Sequence, residues 1–273
     1  MKKLTLITLH GIGEEMPHYH KGFEKKLKKH LGSGWENISF HPIHYAPILQ
    51  EPQTHLWEKI VGNPKNRLKW QGLRKFVLFG FSDAAVLEHS AAHKGEKYMQ
   101  VQLQIQEALD KAYIEVGKDS STPIVIVAHS LGAQIISNYL WDAQKDLFIF
   151  KDNNTGNEDH DNFRRLRNLT NLVTIGCNIP VFNAGIENRE CFCAQHEKLH
   201  EKKLQWDNFY DPDDILGWPL KDLGPSYNFI KDHPVNVGNW LTSWNFLSHD
   251  YYWTSSKVLK PLADILRRGL AKL

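Results

Sequence analysis

The segment Ile124-Val-Ile-Val-Ala-His-Ser-Leu-Gly-Ala-Gln134 places a serine between an apolar run and a run with helical spacing. Small residues two positions before and after Ser130, namely Ala128 and Gly132, permit a sharp turn that pushes the serine side chain outward. A helix that starts there directs its amide groups at the same place. The hydroxyl could then act as a nucleophile. The alternative is an ordinary strand-to-helix turn in which Ser130 caps the helix.

A second motif lies near the amino terminus. Apolar residues 4–9 predict a buried strand, which runs directly into His10-Gly11-Ile12-Gly13. Glycine lets the chain turn tightly at the carboxyl end of such a strand, where backbone N–H groups become available to an anion. This segment therefore predicts half of an oxyanion hole.

With these two motifs the chain resembles the α/β-hydrolase superfamily, in particular its lipases and esterases. These proteins have a His-Gly loop after an early strand and a nucleophilic serine turn after a later one. The resemblance implies that the backbone amides of Ile12 and Leu131 form the oxyanion hole. Ala128 stands where glycine is commoner, and we interpret it as the mark of a subfamily because lipase-like proteins with Ala-His-Ser-x-Gly exist.

A serine hydroxyl needs a histidine to accept its proton and a carboxylate to orient that histidine. In the family the order along the chain is serine, acid, histidine. Asp211, Asp213 and Asp214 follow a predicted strand at 204–210. Two aliphatic residues and a proline turn after Asp214 resemble the lipase pattern, so Asp214 is the predicted acid. Asp211 is the main alternative, although it could simply form a turn before Pro212.

The required order leaves two histidines for the base, His233 and His249. His233 precedes a proline in a polar connector. His249 lies in Ser248-His-Asp-Tyr-Tyr-Trp253, which is similar to the Ser-His-x-x-Tyr-Trp of family members. We therefore predict a triad of Ser130, Asp214 and His249.

Length and composition are typical of a single α/β domain. The chain has 273 residues and 41% hydrophobic content, which is enough for a substantial core. A net charge of +2 argues against a nucleic-acid-binding protein. The apolar run after Met1 is too short for a signal peptide or a membrane span, and three cysteines do not suggest a disulfide framework, so we expect a cytoplasmic protein.

A metal site deserves consideration at Cys191, Cys193, His196 and His200. These are ligand types at close spacing, but the spacing is not that of known zinc sites and the flanking sequence is typical of a solvated helix. We therefore predict no metal and no organic cofactor.

Alternating strand and helix patterns predict a mainly parallel central sheet with helices on both faces. Strands are predicted at 37–45 and 171–176, with Cys177 packed at the end of the latter, and surface helices at 20–31 and 257–273. Residues 98–116 fit either a strand period of two or a helix period, and their length favours a helix. The polar residues 151–161 are predicted to form a mobile loop.

Residues 50–97 form an insertion that the sheet does not require, and in lipase-like proteins such insertions cover the serine as a helical cap. Aromatic residues Trp57, Trp70, Phe76, Phe79 and Phe81 alternate with lysines and arginines here. They could contact a lipid surface. We favour the interpretation that the aromatics pack on the core while the cations face water.

Together these features predict a serine hydrolase that cleaves a small-molecule or lipid carboxylic ester through an acyl-enzyme. Acyl transfer or thioester hydrolysis by the same triad is one alternative. A non-catalytic binding or scaffold protein is another, and labelling of Ser130 by a fluorophosphonate separates it from the enzyme.

Overall fold

The computed structural model describes residues 1–11, 18–87, 95–152, 154–187, 190–192, 204–238 and 246–271. Its centre is a six-stranded sheet in the order β2-β1-β3-β4-β5-β6, and each described strand is parallel to its neighbours. The strands are β1 (Leu4–Leu9), β2 (Ile38–Ile43), β3 (Ile124–His129), β4 (Leu169–Ile175), β5 (Gln205–Tyr210) and β6 (Lys231–Pro234). The α/β organisation predicted from the sequence is confirmed.

The helices connect and cover these strands. They are α1 (Lys21–Leu31), α2 (Ala46–Val61), α3 (Gln71–Leu87), α4 (Glu96–Glu115), α5 (Leu131–Lys145), α6 (Ile149–Asp152), α7 (Glu158–Arg164), α8 (Ile179–Asn183) and α9 (Ser256–Ala271). Short 3-10 segments occur at Gly32–Asn37, Lys221–Leu223, Pro225–Tyr227 and Phe246–Thr254.

Alternating side chains of the strands build two separate layers of core. In β3, Ile124 and Ile126 belong to a cluster that also contains residues of α4 and α5. The intervening Val125 and Val127 belong to a second cluster with residues of α1 and α9. Because successive strand side chains point to opposite faces, these two clusters place helices on both sides of the sheet.

The ambiguous residues 98–116 are helical, as their length indicated. Helix α4 buries Tyr98, Val101, Ile105 and Leu109, which recur every three or four positions and so form one apolar stripe. The stripe packs in the cluster shared with α5. The local alternation at 101–106 therefore does not decide the structure.

The prediction of a loop throughout 151–161 is wrong at its two ends. Asp152 ends α6, and α7 begins at Glu158. The side chain of Asn157 caps α7 by accepting a hydrogen bond from the amide of His160 at 3.1 Å. Such a cap satisfies an amide that has no partner inside the helix, which explains why a polar sequence can start a helix here.

The described part of the predicted insertion at 50–97 is largely helical, consisting of α2 and α3 and the first residues of α4. Helices α2 and α3 pack against each other.

Cys177 is buried directly after β4, and burial raises the pKa of its thiol to about 12. In the part of the chain that the structure describes, no helix has the length and apolar character needed to cross a membrane.

Candidate functional site

The predicted site residues follow different strands but gather at one edge of the sheet. Ser130 follows β3, Asp214 lies in the loop after β5, and His249 follows β6. Parallel strands all end at the same edge, here called the carboxyl edge. Strand β1 lies between β2 and β3, so the order reverses beside Ser130, and such a reversal opens a crevice where ligands bind in open α/β sheets.

Ser130 has a backbone conformation that serine rarely adopts. Its φ is 50° and its ψ is −119°, and it immediately precedes α5. A serine that caps a helix instead has an extended backbone and accepts a bond from a helix amide, and the Ser130 side chain makes no such bond. The alternative of an ordinary capping serine is therefore contradicted. Strain of this kind costs on the order of 1–3 kcal/mol and is concentrated at functional sites.

Contacts on both sides hold the turn in this strained shape. The amide of Ser130 donates to the carbonyl of Ile175 at 3.0 Å, and the Ser130 carbonyl accepts from the amide of Ala133 at 3.0 Å. At Gly132 a β-carbon would lie only 2.5 Å from the carbonyl oxygen of His10. Only glycine lets α5 begin this close to the segment after β1, as the sequence predicted for a small residue at this position.

Asp214 and His249 form a buried pair. The Nδ1 of His249 lies 2.7 Å from Oδ2 of Asp214, and both side chains are almost fully buried. Asp214 also accepts from the amide of Leu216 at 3.0 Å and from the hydroxyl of Tyr252 at 3.0 Å. Burial on its own raises the pKa of Asp214, but the hydrogen bond and charge of His249 and the other two donors outweigh it and lower the pKa.

The ionised Asp214 fixes the tautomer of His249. A carboxylate can only accept, so Nδ1 of His249 donates and, in the neutral ring, Nε2 keeps its lone pair. That lone pair is what a general base requires. The pair thus has the arrangement in which an acid orients a histidine for proton transfer.

The alternative candidates have other partners. The carboxylate of Asp211 accepts from the amides of Asp213 at 3.0 Å and Val237 at 2.7 Å, so it ties backbone segments together. The Nε2 of His233 lies 2.7 Å from Oδ1 of Asp207, and its ring stacks on Phe209. In this structure neither residue takes part in the pair at the carboxyl edge.

The structure shows no hydrogen bond between Ser130 and His249 of the predicted triad. The Oγ of Ser130 and the Nε2 of His249 are both buried, and among the described residues neither atom has a hydrogen-bond partner. Both residues contact the end of β4: Ser130 bonds the Ile175 carbonyl, and a β-carbon on Gly176 would lie 2.9 Å from Cε1 of His249. Ser130 and the imidazole of His249 therefore both lie beside one short backbone segment.

His129 was not predicted as part of the site, yet it joins two of its elements. Its Nε2 lies 2.8 Å from the backbone carbonyl of His249, which can only accept, so Nε2 carries the proton. Burial, followed by the neighbouring His249, holds the pKa of His129 well below its ordinary value. A neutral His129 therefore connects the turn at Ser130 to the segment that carries His249.

Tyr252 is the second functional residue that reasoning from the sequence missed. Its hydroxyl donates to Asp214 and lies 2.7 Å from the amide of Asp211, which donates to it. It therefore joins Asp211 and Asp214 of the loop after β5. The Tyr-Trp of the Ser-His-x-x-Tyr-Trp motif contained a signal for this residue, whereas nothing beyond its place beside Ser130 pointed to His129.

Of the two predicted oxyanion donors, the structure describes Leu131 but not Ile12. Leu131 is the first residue of α5, so its amide has no carbonyl partner within the helix. Ile12 lies outside the described residues. The two residues before it are held firmly, because the hydroxyl of Tyr45 lies 2.7 Å from the His10 carbonyl and 2.9 Å from the Gly11 carbonyl. A β-carbon on Gly11 would lie 2.9 Å from Cβ of Ser130, which places this segment beside the serine.

Metal ligation has no support within the described residues. In the part of the chain that the structure describes, no group of three or more His, Cys, Asp or Glu side chains could hold a metal ion. Of the cysteine and histidine cluster considered from the sequence, Cys191 is buried, and Cys193, His196 and His200 lie outside the described residues.

The chain matches no model of a known protein family and no curated protein. The resemblance to α/β-hydrolases therefore remains an expectation based on short motifs.

Proposed function

We propose that this protein is a serine hydrolase of carboxylic esters and that its α/β architecture is the α/β-hydrolase fold. The observation that carries the proposal is the buried Asp214–His249 pair at the same edge of the sheet as the strained Ser130. The order of these residues along the chain is that of the family. The turn, the acid and the histidine also follow β3, β5 and β6 of one parallel sheet, which supports the fold assignment.

In the proposed reaction, Oγ of Ser130 attacks the ester carbonyl while Nε2 of His249 takes the hydroxyl proton. The carbonyl oxygen becomes an anion held by the amides of Leu131 and Ile12, each donor contributing about 3 kcal/mol. The tetrahedral intermediate breaks its bond to the alcohol oxygen, which leaves with the proton from His249. Water, deprotonated by the same imidazole, then cleaves the acyl-enzyme and releases the carboxylic acid and Ser130.

The proposal requires Ser130 Oγ to approach His249 Nε2. Catalytic hydrogen bonds are often long or misaligned without substrate, and a change of the serine rotamer moves only one oxygen. Two buried polar atoms without partners also favour any movement that pairs them, since leaving a buried polar group unsatisfied costs about 1–3 kcal/mol. Asp214 remains ionised throughout, because its pKa lies below the ordinary value.

The test is hydrolysis of a short p-nitrophenyl ester by Ser130→Ala. Removing the nucleophile should lower kcat by roughly 10⁴-fold or more. The melting temperature should hardly change, because within the described residues the hydroxyl makes no hydrogen bond that the variant would lose.

Ser39→Ala is a matched control. Ser39 is also fully buried, and its hydroxyl lies 2.8 Å from both His41 and Glu115, but it belongs to β2 and not to the carboxyl edge. We expect this variant to keep its turnover. Turnover retained by Ser130→Ala would refute the assignment of the nucleophile.

A further inference from the structure

The outward side of α3 differs from the packing expected of a cap. Trp70, just before the helix, is 77% exposed, and Phe81 is 73% exposed. Leu73 and Val77 between them are 44% and 42% exposed. Of the aromatics in this segment Phe79 is buried, so the expectation that the aromatics pack on the core holds for Phe79 but is wrong for Trp70 and Phe81.

These four exposed residues form one continuous surface, here called the α3 face. Leu73, Val77 and Phe81 are four positions apart in α3, which places their side chains on one side of the helix, and Trp70 immediately precedes that helix. Trp70, Leu73 and Val77 themselves line an apolar groove of about 710 Å³ between α2 and α3, together with Trp57, Ile60 and Leu68. Contiguous apolar surface of this kind marks an interaction site on a folded protein.

The surroundings of the α3 face are strongly cationic. Residues 59–75 contain six lysines and arginines, and no acidic residue occurs between Lys59 and Ser82, although the whole chain has a net charge of only +2. Lys65, Arg67, Lys69 and Arg74 are exposed. Arg74 also lines the apolar groove, so positive charge and apolar surface occupy the same site.

We propose that the α3 face docks on the surface of an anionic lipid bilayer. Apolar side chains enter the boundary between headgroups and acyl chains, while the cations pair with lipid phosphates. A second copy of this chain would bring one cationic surface against another and is disfavoured by repulsion. Acyl chains accept Trp70 and Phe81 without the matched pockets that a protein partner would need, so the observations favour lipid over an acidic protein. The proposal is independent of the proposed ester hydrolysis.

The experiment measures co-sedimentation of the full chain with two kinds of vesicle. One kind is phosphatidylcholine alone, and the other mixes phosphatidylcholine with phosphatidylglycerol. We expect binding to the mixed vesicles, weakened by added salt, and little binding to phosphatidylcholine alone. Replacing Lys65, Arg67 and Lys69 by glutamine should weaken partitioning about 100-fold, because each cation near an anionic surface contributes roughly a factor of five.

The matched control replaces three exposed lysines of α1, Lys21, Lys25 and Lys29, by glutamine. It removes the same charge from a surface whose apolar residues are buried, so binding should change much less. A second variant, Trp70→Asn with Phe81→Gln, keeps every cation and should weaken binding at least about tenfold, since a buried large apolar side chain contributes that much. Asparagine suits position 70 because the backbone φ there is 59°.

The melting temperature of each variant checks that it is folded. Absence of binding to mixed vesicles by the wild type overturns the proposal and leaves an acidic protein as the partner to seek. Equal binding to both kinds of vesicle, or equal loss in the α1 control, also overturns it, because the α3 face and its charge would then not determine docking.

Discussion

The carboxyl edge of the sheet and the α2–α3 pair each contain a buried carboxyl group, and the two groups have opposite pKa shifts. At the sheet edge, His249, Tyr252 and the Leu216 amide lower the pKa of Asp214 against the effect of burial. Between the helices, burial raises the pKa of Asp83 to about 6, because its hydrogen-bond partners Gln53 and Gln50 are uncharged. Two buried carboxyl groups therefore have opposite shifts, depending on the hydrogen-bond donors and the titratable group that surround each one.

The carboxyl edge stabilises the ionised form of its buried carboxyl group, whereas the α2–α3 pair stabilises the protonated form. The carboxyl edge takes its residues from segments far apart in the chain, and they hold Asp214 ionised beside His249. The α2–α3 pair is formed by neighbouring segments, exposes apolar residues outward, and has no salt bridge to Asp83 within the described residues. We expect substitutions at the first region to change activity and those at the second to change stability or binding.

The largest effect should come from Asp214→Asn. The amide keeps the shape but cannot hold Nδ1–H of His249 as the carboxylate does, so kcat for a p-nitrophenyl ester should fall by roughly 10⁴-fold. Asp211→Asn is the control, because the described partners of the Asp211 carboxylate are the backbone amides of Asp213 and Val237. It should leave kcat much closer to wild type. A larger loss in Asp211→Asn than in Asp214→Asn would transfer the role to Asp211.

Asp83→Asn should stabilise the protein at neutral and alkaline pH. The folded-state pKa of about 6 lies above the ordinary value of 3.8, so the folded chain holds this proton more tightly than the unfolded chain. The contribution of Asp83 to stability is present at low pH and is lost as pH rises through about 6. Denaturant unfolding should show a gain of up to about 3 kcal/mol at about pH 8 and little gain at about pH 4.

The contribution of Asp214 to stability depends on pH in the opposite way to that of Asp83. Its pKa is lowered on folding, so its contribution is present above the ordinary value and is lost as pH falls through the lowered value. Asp214→Asn should therefore reduce the free energy of unfolding at neutral pH and matter least in strong acid. A stability gain for Asp214→Asn at neutral pH, or a loss for Asp83→Asn, would remove the distinction between the two regions.

A smaller effect is expected at His129. His129→Leu removes the bond to the His249 carbonyl while keeping an apolar side chain in place, and displacing the segment that carries His249 should lower kcat roughly 10- to 100-fold. His129→Gln retains an N–H donor and should recover most of this loss. Measurement of kcat and melting temperature on both variants separates positioning from general destabilisation. If kcat falls by the same factor in both variants, and both melting temperatures also fall, the result would contradict a positioning role.

Much of the architecture could be predicted because its determinants are local. The continuous apolar run at 124–127 indicates a strand buried on both faces, and the stripe in α4 indicates a helix. Ser130, Asp214 and His249 stood out because each lies in a short motif with a required order. The strained backbone of Ser130 also follows from local sequence, since Ala128 and Gly132 leave room for the turn.

Other features depend on contacts that the sequence pattern does not contain. His129 meets the carbonyl of a residue 120 positions away, so its role needs the assembled sheet. The insertion at 50–97 could be predicted to be helical, but its sequence does not say which of its apolar residues are covered. The helix at Glu158–Arg164 was missed because a single cap at Asn157 decides it.

The most direct test is labelling of the folded protein with a fluorophosphonate, followed by mass spectrometry of its peptides. The proposed function predicts one phosphonate adduct on Ser130, none in Ser130→Ala, and much slower labelling in Asp214→Asn, because only an oriented His249 can activate the hydroxyl. A folded wild-type protein that leaves Ser130 unlabelled, or that labels a different residue at the same rate in Ser130→Ala, would contradict it.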